Sequence, residues 1–263
     1  MMAAGRAQVV SSFLVIKGAQ LEATYRAFTH WDLGRSKKEN LDHLKERDPV
    51  GVGSASWWRD LAFTLNRRFD TEGRDRILVE LAQAGQPMDI WRSLVLWHMT
   101  RDEFLVRDFF SGWLADQHAA GAWRLRVADV EPYLNTLHGR PGVVIKEAWA
   151  PSTTTRVASG LLSMAVDFGL MTGSMTREFV SVHLPDAALL YLLHAANEAE
   201  PNPHRLVHAP DWRMFLMSPS DVQRELFRLH QQGRLRYEVA GSVAELRLPY
   251  PTAADYAHAE LMA

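Results

Sequence analysis

Residues 149–185 read WAPSTTTRVASGLLSMAVDFGLMTGSMTREFVSVHLP, and this stretch decides the fold. Pro151 and Ser152 open a helix. Val157, Leu161, Met164, Ala165 and Phe168 then recur at spacings of four, three, one and three, the stripe of a helix with one buried side. Thr154, Arg156, Ser159 and Ser163 fall on the other side. Gly169 and Gly173 stop the helix, and REFVSVHLP (177–185) alternates as a strand does. Upstream, VVIKEAWA (143–150) reads as a short helix that follows the break HGRPG (138–142). Helix, turn, helix, strand is the order of a winged helix-turn-helix.

The order recurs near the end of the chain. NEAEPNPHR (197–205) reads as a linker. SPSDVQRELFRLHQQG (218–233) has Ser218 as N-cap, Pro219 in the first turn, Gly233 as stop, and Val222, Leu226 and Leu229 as its apolar stripe. RLRYEV (234–239) and VAELRL (243–248) flank Ala-Gly-Ser as a β-hairpin. The N-terminal half reads as successive amphipathic helices, among them SASWWRDLAFTLNRRF (54–69), with Trp57, Leu61, Leu65 and Phe69 on one face. The expected fold is mainly α: a helical bundle with winged helix-turn-helix-like segments and a short C-terminal β-hairpin. It divides into an N-terminal helical domain (1–137) and a C-terminal winged-helix-like domain (138–263).

Composition narrows the function. Hydrophobic residues make up 47% and charged residues 23%, a globular balance with no signature of disorder. With no Cys, thiolate metal sites and cysteine catalysis are excluded. No apolar run reaches the ~18 residues that span a bilayer, so no membrane partner is expected and the location is read as cytoplasmic. Arg6 and the residues after it are interrupted by Gln8, Ser11 and Ser12, and read as an ordinary N-terminal segment. The net charge of -2 announces no strongly basic protein, so nucleic-acid binding would need cations gathered on one face.

The motifs of common chemistry are missing. GVGSAS (51–56) lacks the GK[ST] of a phosphate loop and follows no strand. No G-x-S-x-G elbow and no H-E-x-x-H pair occur. His194, His204 and His208 read as hydrogen-bonded or solvated side chains, and no metal or other cofactor is expected. Asp102, Glu103 and Asp108, beside Arg101 and Arg107, read as surface ion pairs. The six tryptophans at positions 57, 58, 91, 97, 113 and 123 read as core. What remains is DNA contact. In a helix-turn-helix the first residues of the second helix meet the DNA, here Ser152, Thr153, Thr154, Thr155 and Arg156, with Ser159 one turn on. Those hydroxyls also suit plain helix capping. Arg59, Arg67 and Arg68 form the basic patch of the N-terminal half, and Arg234 and Arg236 lie on the C-terminal hairpin.

These stretches resemble a known family. WAPSTTTRVASGLLSMAVDFGLM (149–171) resembles the tryptophan-Ser-x-x-Thr-x-Arg helix of the BrxA family of bacteriophage exclusion (BREX) defence systems. KGAQLEATY (17–25), FLVRDFF (104–110) and the segment 211–243 resemble its other motifs in order and spacing. Where members carry more basic residues in the first Ser-rich helix, this chain has Trp57 and Trp58. The resemblance implies a small helical accessory protein that binds double-stranded DNA beside a methyltransferase, an ATPase and other BREX proteins. The expected function is therefore non-enzymatic DNA binding in phage defence. The rivals are a protein scaffold without DNA binding and a transcription regulator of its own operon.

Overall fold

The computed structural model describes residues 8–51, 53–145, 148–241 and 243–263. It is mainly helical, with small sheets. The N-terminal part runs β1 (Gln8–Val10), α1 (Ser12–Ile16), α2 (Leu21–Thr29), α3 (Lys37–Arg47), α4 (Ala55–Arg68), α5 (Arg76–Gln83) and α6 (Met88–Met99). A longer helical rod follows: α7 (Phe104–Arg107), a π-helical stretch (Asp108–Leu114) and α8 (Ala115–Ala119). Then come β2 (Arg124–Leu125), α9 (Val127–Thr136), β3 (Val143–Ile145), α10 (Pro151–Asp167), β4 (Met171–Thr172) and β5 (Arg177–Phe179). The chain closes with α11 (Asp186–Ala199), α12 (Pro203–Val207), a 3-10 turn (Pro210–Phe215), α13 (Pro219–Gln231), the hairpin β6 (Arg236–Ala240) and β7 (Val243–Arg247), and α14 (Ala253–Tyr256).

Local signals set several of these ends. Ser36 and Ser218 each accept from the backbone N–H three residues on, while Glu39 and Asp221 reach back to the cap amide. These reciprocal caps satisfy N–H groups that a helix start leaves without partners. Ser54 caps α4 in the simpler way, accepting from the Trp57 amide.

One expectation fails at the centre of the decisive region. The segment 143–150 was to be a short helix; its first three residues are instead β3, paired in parallel with β1 (Gln8 with Val143, Val10 with Ile145). Lys146 and Glu147 lie outside the described residues. The run Val-Val-Ile is β-branched and favours extended backbone, and its partner strand comes from the far end of the chain, where no local pattern reveals it. The helix packed against α10 is α9. A second difference is smaller: the strand expected over 177–185 is confined to β5, and residues 197–199 of the expected linker complete α11.

The sheet beside α10 has the order β2-β5-β4, antiparallel throughout. Its turn between β4 and β5 needs Gly173, whose φ is +98° and whose Cβ would fall under 3.0 Å from the Thr176 carbonyl oxygen. Buried side chains form one cluster from Val10 to Leu261. Trp91 and Phe28 meet edge-on within it at 6.2 Å. Burial of this apolar surface is the main stabilising term.

A polar thread crosses the cluster. The buried His98 of α6 has Nδ1 at 2.8 Å from Asp75 and Nε2 at 2.9 Å from the Tyr191 hydroxyl of α11. A carboxylate only accepts, so Nδ1 carries the proton and Nε2 accepts from tyrosine. Burial pushes the His98 pKa down, against the pull of Asp75, and the ring is neutral. Burial alone would raise Asp75; hydrogen bonds from His98 and Arg74 outweigh it and hold the carboxyl at about 2.

Candidate nucleic-acid interface

The helix α10 starts without a side-chain cap. Ala150 is its N-cap residue and Pro151 occupies the first turn. Ser152 therefore lies inside the helix, and its hydroxyl is not spent on capping. Ser152, Thr155 and Arg156 are exposed, while Thr153, Thr154 and Ser159 are half-buried. The Thr155 hydroxyl lies 2.7 Å from Glu131 of α9 and 3.1 Å from the Pro151 carbonyl. Arg156 has no carboxylate partner among the described residues. The predicted contact residues thus share one end of one helix, with a single unpaired cation and the positive end of the helix dipole.

Arg156, Ser159 and Ser163 stand at spacings of three and four, which puts them on one stripe. Beside this stripe α10 is packed against α1. A Cβ at Gly160 would fall under 3.0 Å from the Val15 carbonyl oxygen, so only glycine allows this approach. The short helix α1 also touches α4. Phe13 and Phe63 meet edge-on at 4.5 Å, with Lys17 over the first ring and Arg67 over the second at 5.8 Å. Lys17 is itself tied to Asp60 at 2.5 Å. Arg59 and Arg67 are exposed on the outer side of α4, without carboxylate partners among the described residues.

Arg68 needs correction. It was grouped with Arg59 and Arg67 as part of the basic patch, yet its side chain is 0% exposed. Its Nε donates to Glu103 at 2.5 Å, and its Nη atoms donate to the carbonyls of Leu14, Gly18 and Ala19. The helix turn between Arg67 and Arg68 rotates the second inward. Arg68 thus collects the carbonyls at the end of α1 and is removed from any ligand surface.

The acids of 102–108 are likewise ties between elements rather than surface pairs. Glu103 holds Arg68, Asp102 holds Arg74 at 2.8 Å, and Asp108 holds Arg140 at 2.5 Å and the Tyr133 hydroxyl at 2.7 Å. Burial, then the Asp108 charge and hydrogen bond, raise the Tyr133 pKa. Among the tryptophans, Trp91 is buried but Trp123 is 60% exposed, outside any helix, with the Arg124 guanidinium 4.3 Å from its ring centre.

The C-terminal hairpin carries its arginines differently. Arg234 precedes β6 instead of lying on it, 3.9 Å from Glu260. Arg236 is held by Glu238 at 2.9 and 3.2 Å, and Arg247 by Glu245 at 2.5 Å. Arg236 faces Arg247 across the strands and Glu238 faces Glu245, so the outer face carries two cations and two anions.

A cleft of about 770 Å³ lies beside α5, α6 and α11, lined by Arg74, Trp97, His98, Arg101 and Tyr191 among others. Both nitrogens of His98 are engaged, His258 of the same cleft lies 3.1 Å from Glu80, and Arg101 is paired with Asp211 at 2.8 Å. His194 is buried, with Nδ1 on the Leu190 carbonyl, and His208 bonds the His204 carbonyl. Among the described residues no three His, Asp or Glu side chains gather as a metal site, and no helix is long and apolar enough to cross a membrane.

No curated protein and no solved structure matches the chain significantly. The model of the BrxA family matches residues 14–195, which covers α2 to α10 and most of α11.

Proposed function

The chain belongs to the BrxA family and is thereby a component of BREX phage defence, and from that premise we propose that it is a non-enzymatic accessory protein that binds double-stranded DNA through phosphate contacts. The observation that carries this reading is the connectivity from 104 to 179. A helical rod, β2, α9, α10, β4 and β5 follow in that order, with the sheet ordered β2-β5-β4. This order supports reading the unit as a winged helix, with α10 as its recognition helix and the β4–β5 turn as its wing. Its N-terminus presents Ser152, Thr155 and the unpaired Arg156, groups suited to backbone phosphates rather than base edges. Arg59 and Arg67 on α4, linked to α10 through α1, extend the cationic surface.

Binding to a labelled duplex across a salt series tests the reading. Affinity is expected to fall steeply with salt and to be weakened by Arg156→Ala. A duplex that fails to bind even at low salt would sink it. The charge-balanced outer face of β6–β7 favours a second role for that unit, contact with a protein such as the methyltransferase or ATPase of the system. Co-elution with such a partner, lost on reversing Glu238 and Glu245 to Lys, tests that role. The cytoplasm is the compartment in which both partners would be met.

A further inference from the structure

Among the described residues the side chain of Arg177 is a cation without a counterion. Arg177 is the first residue of β5 and pairs with Leu125 of β2, so it points to the inner face of the sheet, toward α10. The residue is only 7% exposed. Its one hydrogen bond is a long one, from Nη2 to the Ser163 hydroxyl at 3.4 Å, and its buried Nε has no partner among the described residues. No carboxylate lies within salt-bridge distance of it among those residues, whereas Arg68, the other fully enclosed arginine, has Glu103 and three carbonyls.

A guanidinium keeps its charge at every ordinary pH. Burying it without an anion is costly, and folds remove such groups unless something returns the cost. Burial pulls its pKa down, but from an ordinary value far above neutral. An apolar side chain at this place would pack with no such penalty. The position has a second property. Ser163 belongs to the stripe Arg156, Ser159, Ser163 of α10, whose members pass from exposed to half-buried along the helix. The stripe therefore leads from the exposed helix start toward the side of α10 that meets β5, where Arg177 reaches Ser163.

We propose that Arg177, with the hydroxyls of Ser163 and Ser159, forms a seat for a phosphate group where α10 meets β5. A tetrahedral dianion or phosphodiester accepts from the guanidinium fork and from two hydroxyls at once, which supplies the missing counterion. The phosphate can be free or part of a DNA backbone; the second case rests on the DNA-binding reading above. In that case the seat takes a backbone phosphate that Arg156 has already drawn to the start of the helix.

Arg177→Met decides between a binding arginine and a structural one, because the two predict opposite signs. If Arg177 is a seat, the variant unfolds at the same or a higher temperature than the parent. The parent's melting temperature rises with inorganic phosphate relative to chloride at equal ionic strength, and the variant's does not. Duplex affinity falls about tenfold, the scale of one charge-assisted contact. A variant that melts lower yet binds phosphate and DNA as the parent does overturns the proposal. Ser163→Ala, which leaves the charge in place, is expected to diminish the phosphate shift; an undiminished shift also overturns it. If the parent shifts with phosphate but binds no duplex, the seat stands for a free phosphate and the DNA reading fails. If it binds duplex with no loss in Arg177→Met, the DNA reading stands and the seat fails.

Discussion

The regions 104–179 and 186–247 run through a similar order of elements, helices and then a small antiparallel sheet, yet only the first, where Arg140 is paired with Asp108, also has arginines without a carboxylate partner among the described residues. In the first, Arg156 is exposed and unpaired among the described residues, and Arg177 is enclosed and unpaired. In the second, Arg236, Arg247 and Arg228 each lie against a carboxylate: Glu238, Glu245 and Asp186. A paired cation has already spent its charge on a neighbour, so an incoming phosphate must displace that neighbour to gain anything. The order of elements therefore does not separate the two units, whereas charge pairing does.

The difference can be broken most forcefully from outside both units. Arg68→Ala leaves Glu103 enclosed without its cation and three carbonyls of the α1 region without a donor. It is expected to cost about 3 to 5 kcal/mol in denaturant unfolding. Because α1 lies between α4 and α10, the variant should also lose duplex binding, although Arg68 touches no ligand. Gly160→Ala acts on the same joint from the other side. The new methyl group meets the Val15 backbone, and a loss of about 1 to 3 kcal/mol is expected. Unchanged stability in either variant would mean that α1 does not hold the first unit in place.

Arg156→Ala and Arg236→Ala sharpen the comparison directly. The first should weaken duplex binding about tenfold and lower the salt slope by about one. The second should change affinity less than about twofold, since Glu238 already neutralises it. Equal losses would dissolve the distinction between the units.

Acid should act on the second unit. Its first helix, α11, is anchored by His98 on Tyr191 and by His194, whose Nε2 accepts from the Tyr250 amide at 3.3 Å. Burial lowers both histidine pKa values below the ordinary 6.5. A group with a lowered folded pKa binds more protons unfolded than folded. Its contribution is thus complete above pH 6.5 and is lost as the pH falls below that value. Hydrogen exchange should show α11 opening more readily at pH 5 than at pH 7.5. His98→Gln should flatten the dependence, and an unaltered pH profile would remove His98 from this role.

Much of the fold was legible. The α10 stripe, the Ser218 cap, the C-terminal hairpin and the mainly helical class follow from periodicity and capping, which are local. The exposed end of α10 was legible too, because Ser152, Thr155 and Arg156 lie outside the apolar stripe. The short helix expected at 143–150 was misread because β3 is made by β1, more than a hundred residues away. Arg68 and Arg177 were misjudged or missed for one reason: an arginine's burial depends on which neighbours close over it. The one signal for Arg177 was its parity in the strand, opposite Leu125.

Most of the helices, the Ser218 cap, the hairpin and the family follow from the sequence, since each depends on spacing along the chain. Only the tertiary structure decided which arginines keep a free charge. Pairing is set by distances of about 3 Å between residues that the chain brings together from far apart. Composition fixes how many cations there are, and folding alone fixes which of them meet an anion.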